Sequence, residues 1–433
     1  MRIRASLLAF LIATMASAAM AETFRGELTA RYRDRWGSSG WEDEDLFSYL
    51  RLSYGEDGDR NVAGAVSLRW DADLLASANE IDDGSDDLRV YYAYLDLGKS
   101  QRFDLRLGRQ YLDEAEGFHL TGAKAIYNAP WKHLRFGLFA GQPVSYYSSV
   151  DGDEHAGGLT WSLRPAERAN LRGSWIHLEE ELDDGDVVTL AYRQALGQGS
   201  NLYATARTLD FEVFNGLLGG TWRVEPLNLL LTGSYRRQED TIASSSRYFG
   251  DLSTIIGPSR PYQQLTVNVS RPFRDLASLG VGFSRRELLG DAESRGNQEF
   301  DRFFVDAVLT EQALGGFVAS ANFSRWQTDR NDNSTLAGSL SRRLGEHLRL
   351  EAGSSYAKYD LRRVFDVREE IPRERFDVRS TYLRGEWRVR ERYRVRLDLD
   401  RTTDSTSDEA YYEAELRFGL DLGLLGGDRD AEP

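Results

Sequence analysis

The sequence predicts an all-β fold, a transmembrane up-and-down antiparallel β-barrel of about 22 strands (20–24) with no plug domain. Three observations predict it: hydropathy alternates with a period of two, the alternating runs are long, and tight turns alternate with longer connections.

The alternation is plain in Tyr393, Val395, Leu397 and Leu399, which are interleaved with Arg394, Arg396, Asp398 and Asp400. Phe103, Leu105 and Leu107 alternate with Asp104, Arg106 and Gly108 in the same way. One face is apolar and the other charged, the pattern of strands with one greasy side and one wet side. A soluble sandwich alternates too, so run length decides. Soluble strands average about 5–6 residues, whereas membrane strands need about 9–11. Phe24 to Arg35, Leu46 to Gly55, Asn201 to Asp210, Leu348 to Asp360 and Val378 to Val389 are long enough to cross a bilayer. Tyr32, Trp36, Tyr49, Trp70, Trp175, Trp326 and Trp387 fall near run ends, as an aromatic girdle requires.

The connections set the strand count. Tight turns are read at Gly58-Asp59-Arg60, Gly98-Lys99-Ser100, Pro130-Trp131, Pro165-Ala166-Glu167, Gly197-Gln198-Gly199, Glu225-Pro226, Pro272-Phe273-Arg274, Glu311-Gln312, Gly345-Glu346 and Arg390-Glu391-Arg392. The intervening connections are mostly longer and acidic, notably Ala72 to Asp87, Gln142 to Asp153, Glu239 to Pro261 and Leu361 to Arg375. This parity holds only if Gly117 to Asn128 is counted as a strand.

The ends assign the compartment. Met1-Arg2-Ile3-Arg4, an apolar stretch from Ala5 to Ala16 and the Ala19-Met20-Ala21 site form a secretory signal peptide over 1–21, cleaved before Glu22. The barrel is expected over 22–422, and 423–433 forms a polar tail. Tyr412, Ala414, Leu416 and Phe418 resemble the terminal signal by which the barrel assembly machinery recognises its clients. Such a chain resides in the outer membrane of a Gram-negative cell, among its lipid and lipopolysaccharide.

Composition narrows the function. The absence of cysteine rules out disulfides, thiolate metal sites and covalent haem attachment, and a net charge of −15 argues against nucleic acid. His119, His133, His155, His177 and His347 are scattered over different runs, without metal-ligand spacing, so neither catalytic residues nor a cofactor is expected. The acidic stretches Asp82 to Asp87 and Asp183 to Asp186 read as solvated turns. Basic residues are nearly all arginine, which suits fixed ion pairs within a walled space. Lumen-lining candidates are Asp104, Arg106, Arg109, Arg384, Glu386, Arg388, Arg394, Arg396, Asp398 and Asp400. They form either a mutually neutralising lattice or a surface for solute contact. The loop Glu239 to Pro261 is a candidate for narrowing the bore.

Two resemblances follow from particular residues. Val90-Tyr91-Tyr92-Ala93-Tyr94, Leu105-Arg106-Leu107-Gly108-Arg109-Gln110 and Leu120-Thr121-Gly122-Ala123 are similar to the strands of porin-like and alginate-export-like barrels. That likeness implies a channel for polar solutes or for polymer export. The chain's size, short turns and lack of a plug also resemble the barrel component of porin–cytochrome electron conduits. That likeness implies a sheath around a periplasmic multihaem c-type cytochrome, with the haems belonging to the partner.

Overall fold

The computed structural model describes residues 24–55, 62–75, 87–98, 102–115, 118–130, 133–144, 155–179, 184–197, 199–239, 261–289, 299–328, 331–362, 373–390, 392–407 and 409–422. The signal peptide, the tail after Leu422 and residues 240–260 lie outside them.

The described residues form 22 strands. The first eleven are β1 Phe24–Gly37, β2 Glu42–Tyr54, β3 Val62–Leu75, β4 Asp87–Leu97, β5 Phe103–Leu112, β6 Phe118–Asn128, β7 Arg135–Pro143, β8 His155–Ala166, β9 Ala169–Glu179, β10 Asp184–Gly197 and β11 Ser200–Leu209. The rest are β12 Glu212–Val224, β13 Leu229–Gln238, β14 Tyr262–Phe273, β15 Ala277–Leu288, β16 Phe300–Leu309, β17 Phe317–Gln327, β18 Asp332–Leu344, β19 Leu348–Arg362, β20 Arg373–Arg390, β21 Tyr393–Asp404 and β22 Ala410–Asp421. Each pairs antiparallel with its successor, and β22 returns to β1 in register from Glu27 opposite Asp421 to Gly37 opposite Tyr411. The sheet is therefore a closed ring without an edge, which satisfies every ladder within the wall.

Among the described residues, the tight turns read from the sequence lie at the junction of an even strand with the next odd one, with Pro165-Ala166 and Pro272-Phe273 ending β8 and β14; Gly58-Asp59-Arg60 lies outside the described residues, and the parity-dependent segment is β6. The turn chemistry explains why. Gly98, Gly197, Gly199 and Gly345 have φ of 80°, 96°, 80° and 65°, a region costly for any residue with a Cβ. Asn228, at φ 49°, supplies the same conformation after Glu225-Pro226.

Leu105, Leu107, Leu265, Val281, Phe283, Leu383, Leu397 and Leu416 are exposed, so the apolar row of these strands forms the outer surface. The charged row is more enclosed and faces the bore. Trp36, Trp70, Trp175 and Trp387 lie on the outer rows, as the girdle expectation has it, and Trp36 stacks on Tyr412 at 5.5 Å. Tyr49 and Trp326 do not. Each pairs with an inner-row arginine, Arg69 and Arg302 respectively, because the parity of its strand overrides its aromatic character.

The inner surface is packed by aromatic rings laid over glycines in register. Tyr382 covers Gly353, Phe304 covers Gly282 and Tyr203 covers Gly219. An added Cβ at Gly353 would stand 2.4 Å from the Tyr382 ring. Gly353→Ala is expected to displace that ring and destabilise the barrel by about 1–3 kcal/mol, read as a lower urea midpoint in lipid vesicles. An unchanged midpoint would show that the ring moves freely.

Candidate functional site: the charged inner wall

The inner face is identified independently of charge. The 3-10 turn Asp113–Ala115 joins β5 to β6, yet it packs against β8 and β9. Reaching them means passing over β7, and the bore is the side on which non-adjacent strands converge. There Leu112, Phe118, Leu120, Phe139, Ile176 and Leu178 bury one another. Leu112 lies on the same alternate row of β5 as Asp104 and Arg106, which places those two on the inner face.

Asp104 accepts a hydrogen bond from Asn128 Nδ2 at 3.1 Å. Arg106 grips Asp96 with both prongs, Nε at 2.6 Å and Nη2 at 2.9 Å, and lies 3.9 Å over the Tyr94 ring. Such bidentate pairing fixes the guanidinium in one plane.

Further round the ring, on β20 and β21, six of the candidates form one lattice. Asp398, only 6% exposed, accepts Nε of Arg396 at 2.7 Å and its Nη2 at 3.1 Å, and Arg384 Nε lies 3.1 Å away. Glu386 stands 3.6 Å from Arg394 and 3.8 Å from Arg388. Glu351, which accepts a 2.9 Å hydrogen bond from the Tyr382 hydroxyl, continues the lattice to β19. Asp400 lies in the same row, opposite Glu413.

Arg109 stands apart. It pairs with Ala93 and Thr121, in the row of Leu107 rather than that of Arg106, because it is three residues along a strand whose faces alternate every residue. It donates to Val90 O at 3.0 Å and to Thr121 Oγ1 at 3.2 Å, so its contacts are with the wall itself.

The lattice also holds residues the candidate set misses. Glu415 is bound by Arg31, with Nε at 2.6 Å, and by Arg417. Arg33 pairs with Asp45, and Arg35 with Asp43. Arg31, Arg33 and Arg69 surround the Phe47 ring at 5.3, 5.2 and 5.1 Å. The signal was present: Arg31, Arg33 and Arg35 recur at intervals of two, as do Glu413, Glu415 and Arg417. Between β14 and β18 the inner wall is instead hydroxyl- and amide-rich. Gln264 Nε2 donates to Ser284 Oγ at 3.2 Å, and Ser320 meets Ser339 at 2.7 Å.

Among the described residues no group of three metal-ligating side chains converges. His119 stacks on Tyr111 at 4.3 Å, and His177 lies 3.1 Å from Asp186. The site is thus a wall of fixed charges and hydroxyls.

No family model and no curated protein matches the chain. Among solved structures it is similar to the translocation pore of the P pilus usher PapC, with a TM-score of 0.52 and 11% identity over 92% of this chain and 99% of that one. A second structure of the same pore gives 0.50 and 9% identity over 92% and 99%. OccAB3 of Acinetobacter baumannii gives 0.47 and 12% identity over 92% and 98%. At these identities the likeness is one of fold, and the usher pore carries it. The shared architecture is a closed antiparallel β-barrel.

Proposed function

We propose that the chain forms a wide conduit through the outer membrane, a porin-like channel for polar solutes or for export of a polymer. The observation that supports it is a closed ring of 22 strands with an apolar outside and a charged, hydroxylated inside. Strands about 4.8 Å apart and tilted by about 40° make such a ring about 40 Å across. Wall side chains do not span that distance, and barrels of 16–18 strands already hold an aqueous channel. The turn Asp113–Ala115 leaves the wall to pack across neighbouring strands. The usher pore of similar fold is named for translocation, in keeping with passage of something larger than an ion.

In this reading the signal peptide delivers the chain, the barrel assembly machinery inserts it, and outer-membrane lipid and lipopolysaccharide surround it. The test is conductance. Protein recovered from outer membranes, beginning at Glu22, is expected to give stepwise ion current when added alone to a planar lipid bilayer. A barrel that inserts but carries no current, and that co-purifies with a stoichiometric haem protein, would instead be the sheath of an electron conduit.

A further inference from the structure

The inner wall is electrostatically two-sided, and the difference lies in what anchors its arginines. From β19 round to β3 they are held by carboxylates: Arg384 and Arg396 by Asp398, Arg31 by Glu415, Arg33 by Asp45. Arg236, Arg286 and Arg302, on β13, β15 and β16, are not. Arg286 is fixed by a neutral group, Gln264 Oε1, which accepts from its Nε at 3.0 Å and its Nη2 at 2.8 Å. Its guanidinium is sandwiched by aromatic rings, 4.2 Å from Tyr262 and 5.1 Å from Phe300. Arg302 lies 5.4 Å over Phe304. Arg236 is exposed, and register places it, Gln264 and Arg286 in one row across β13, β14 and β15. Arg207 and Arg286 both lie within electrostatic reach of Arg236.

Among the described residues no carboxylate forms an ion pair with Arg236, Arg286 or Arg302. The inner rows of β11 to β16 carry only two described carboxylates. Glu212 sits at the rim, and Asp306 accepts a hydrogen bond from Asn322. Amide and aromatic anchors hold a guanidinium in place without cancelling its charge, whereas a carboxylate does both.

We propose that this arc is an anion-binding surface for solutes bearing more than one carboxylate. Arg236 and Arg286 sit two strands apart, about 10 Å, which is near the screening length at physiological salt, so their fields overlap. A single carboxylate engages one guanidinium. A polycarboxylate engages two across Gln264, gaining from the second contact without a second loss of translational freedom. The inference rests on the conduit reading for its consequence, selectivity, but not for the binding itself.

Two measurements separate the readings. In titration calorimetry on the detergent-solubilised barrel, citrate is expected to bind more tightly than acetate. The double variant Arg236→Gln/Arg286→Gln is expected to lose citrate affinity by about tenfold, while Arg285→Gln, one residue away on the outer face, does not. Equal affinity of wild type and double variant overturns the arc, whatever the conductance. In a planar bilayer under a KCl gradient, the wild-type reversal potential is expected to show preference for chloride, and the double variant to move towards zero. A cation-preferring wild type also overturns it. Citrate binding that follows the variants in a barrel that passes no current would leave the arc standing and sink the conduit.

Discussion

Gly122→Val is expected to prevent the barrel from reaching its compact form, at a cost of about 3 kcal/mol or more. Gly108, Gly122 and Gly141 stand opposite one another in a row across β5, β6 and β7. A Cβ at Gly122 would lie 2.2 Å from Ala140 O and 2.7 Å from Gly141 Cα, and one at Gly141 would lie 2.3 Å from Thr121 O. These neighbours are backbone, so no side chain can swing aside. At Gly108, φ is 116° and the obstacle is Ala93 O at 2.2 Å, which adds conformational strain to the clash. The row lets the strands approach and bend, so that Leu112, Phe118 and Leu120 reach Ile176 and Leu178 inside the bore. The readout is the mobility difference between heated and unheated protein on a detergent gel. It should vanish in Gly122→Val and persist in Gly216→Ala, where a new Cβ has nothing within 4 Å. A wild-type shift and unfolding midpoint in Gly122→Val would refute the steric argument.

The second large effect is expected at the seam where the ring closes. Glu415 is 2% exposed and sits between Arg31 and Arg417, which face each other in register across β1 and β22. Glu415→Ala leaves two guanidiniums opposed with no acceptor between them. Removing one partner of an enclosed charge cluster costs about 3–5 kcal/mol, more than the pair itself contributes, because the remaining charges stay uncompensated. Urea unfolding in lipid vesicles should show this loss, and Glu415→Gln, which keeps an acceptor, should lose less. A change below about 0.5 kcal/mol would mean that water in the bore screens the pair as it does at an open surface.

The closed form of the barrel was legible in the chain because the bilayer imposes a rule on every strand separately. A residue such as Leu397 must face lipid, so Arg396 and Asp398 must face away, and no knowledge of neighbouring strands is required. Turns were legible for the same local reason: Gly345 or Gly197 supplies a backbone conformation its neighbours cannot. The same parity places Arg109 on the row of Leu107, three residues from Arg106, despite its standing in the motif Gly108-Arg109-Gln110.

What faces what across the wall was not legible. Glu415 meets Arg31 across 384 residues of sequence, and only ring closure decides that register. Nor does Leu112-Asp113-Glu114-Ala115 announce that it leaves the wall for the bore, since its apolar residues read like those of any strand. A count of about 22 strands, the alternation of two faces and most of the turns could be read along the chain, because each follows from local chemistry against lipid and water. The tertiary structure alone decided which arginines are neutralised and which are not. That depends on whether Asp398 or Gln264 stands within reach of the guanidinium, a matter of register between strands rather than of composition along one.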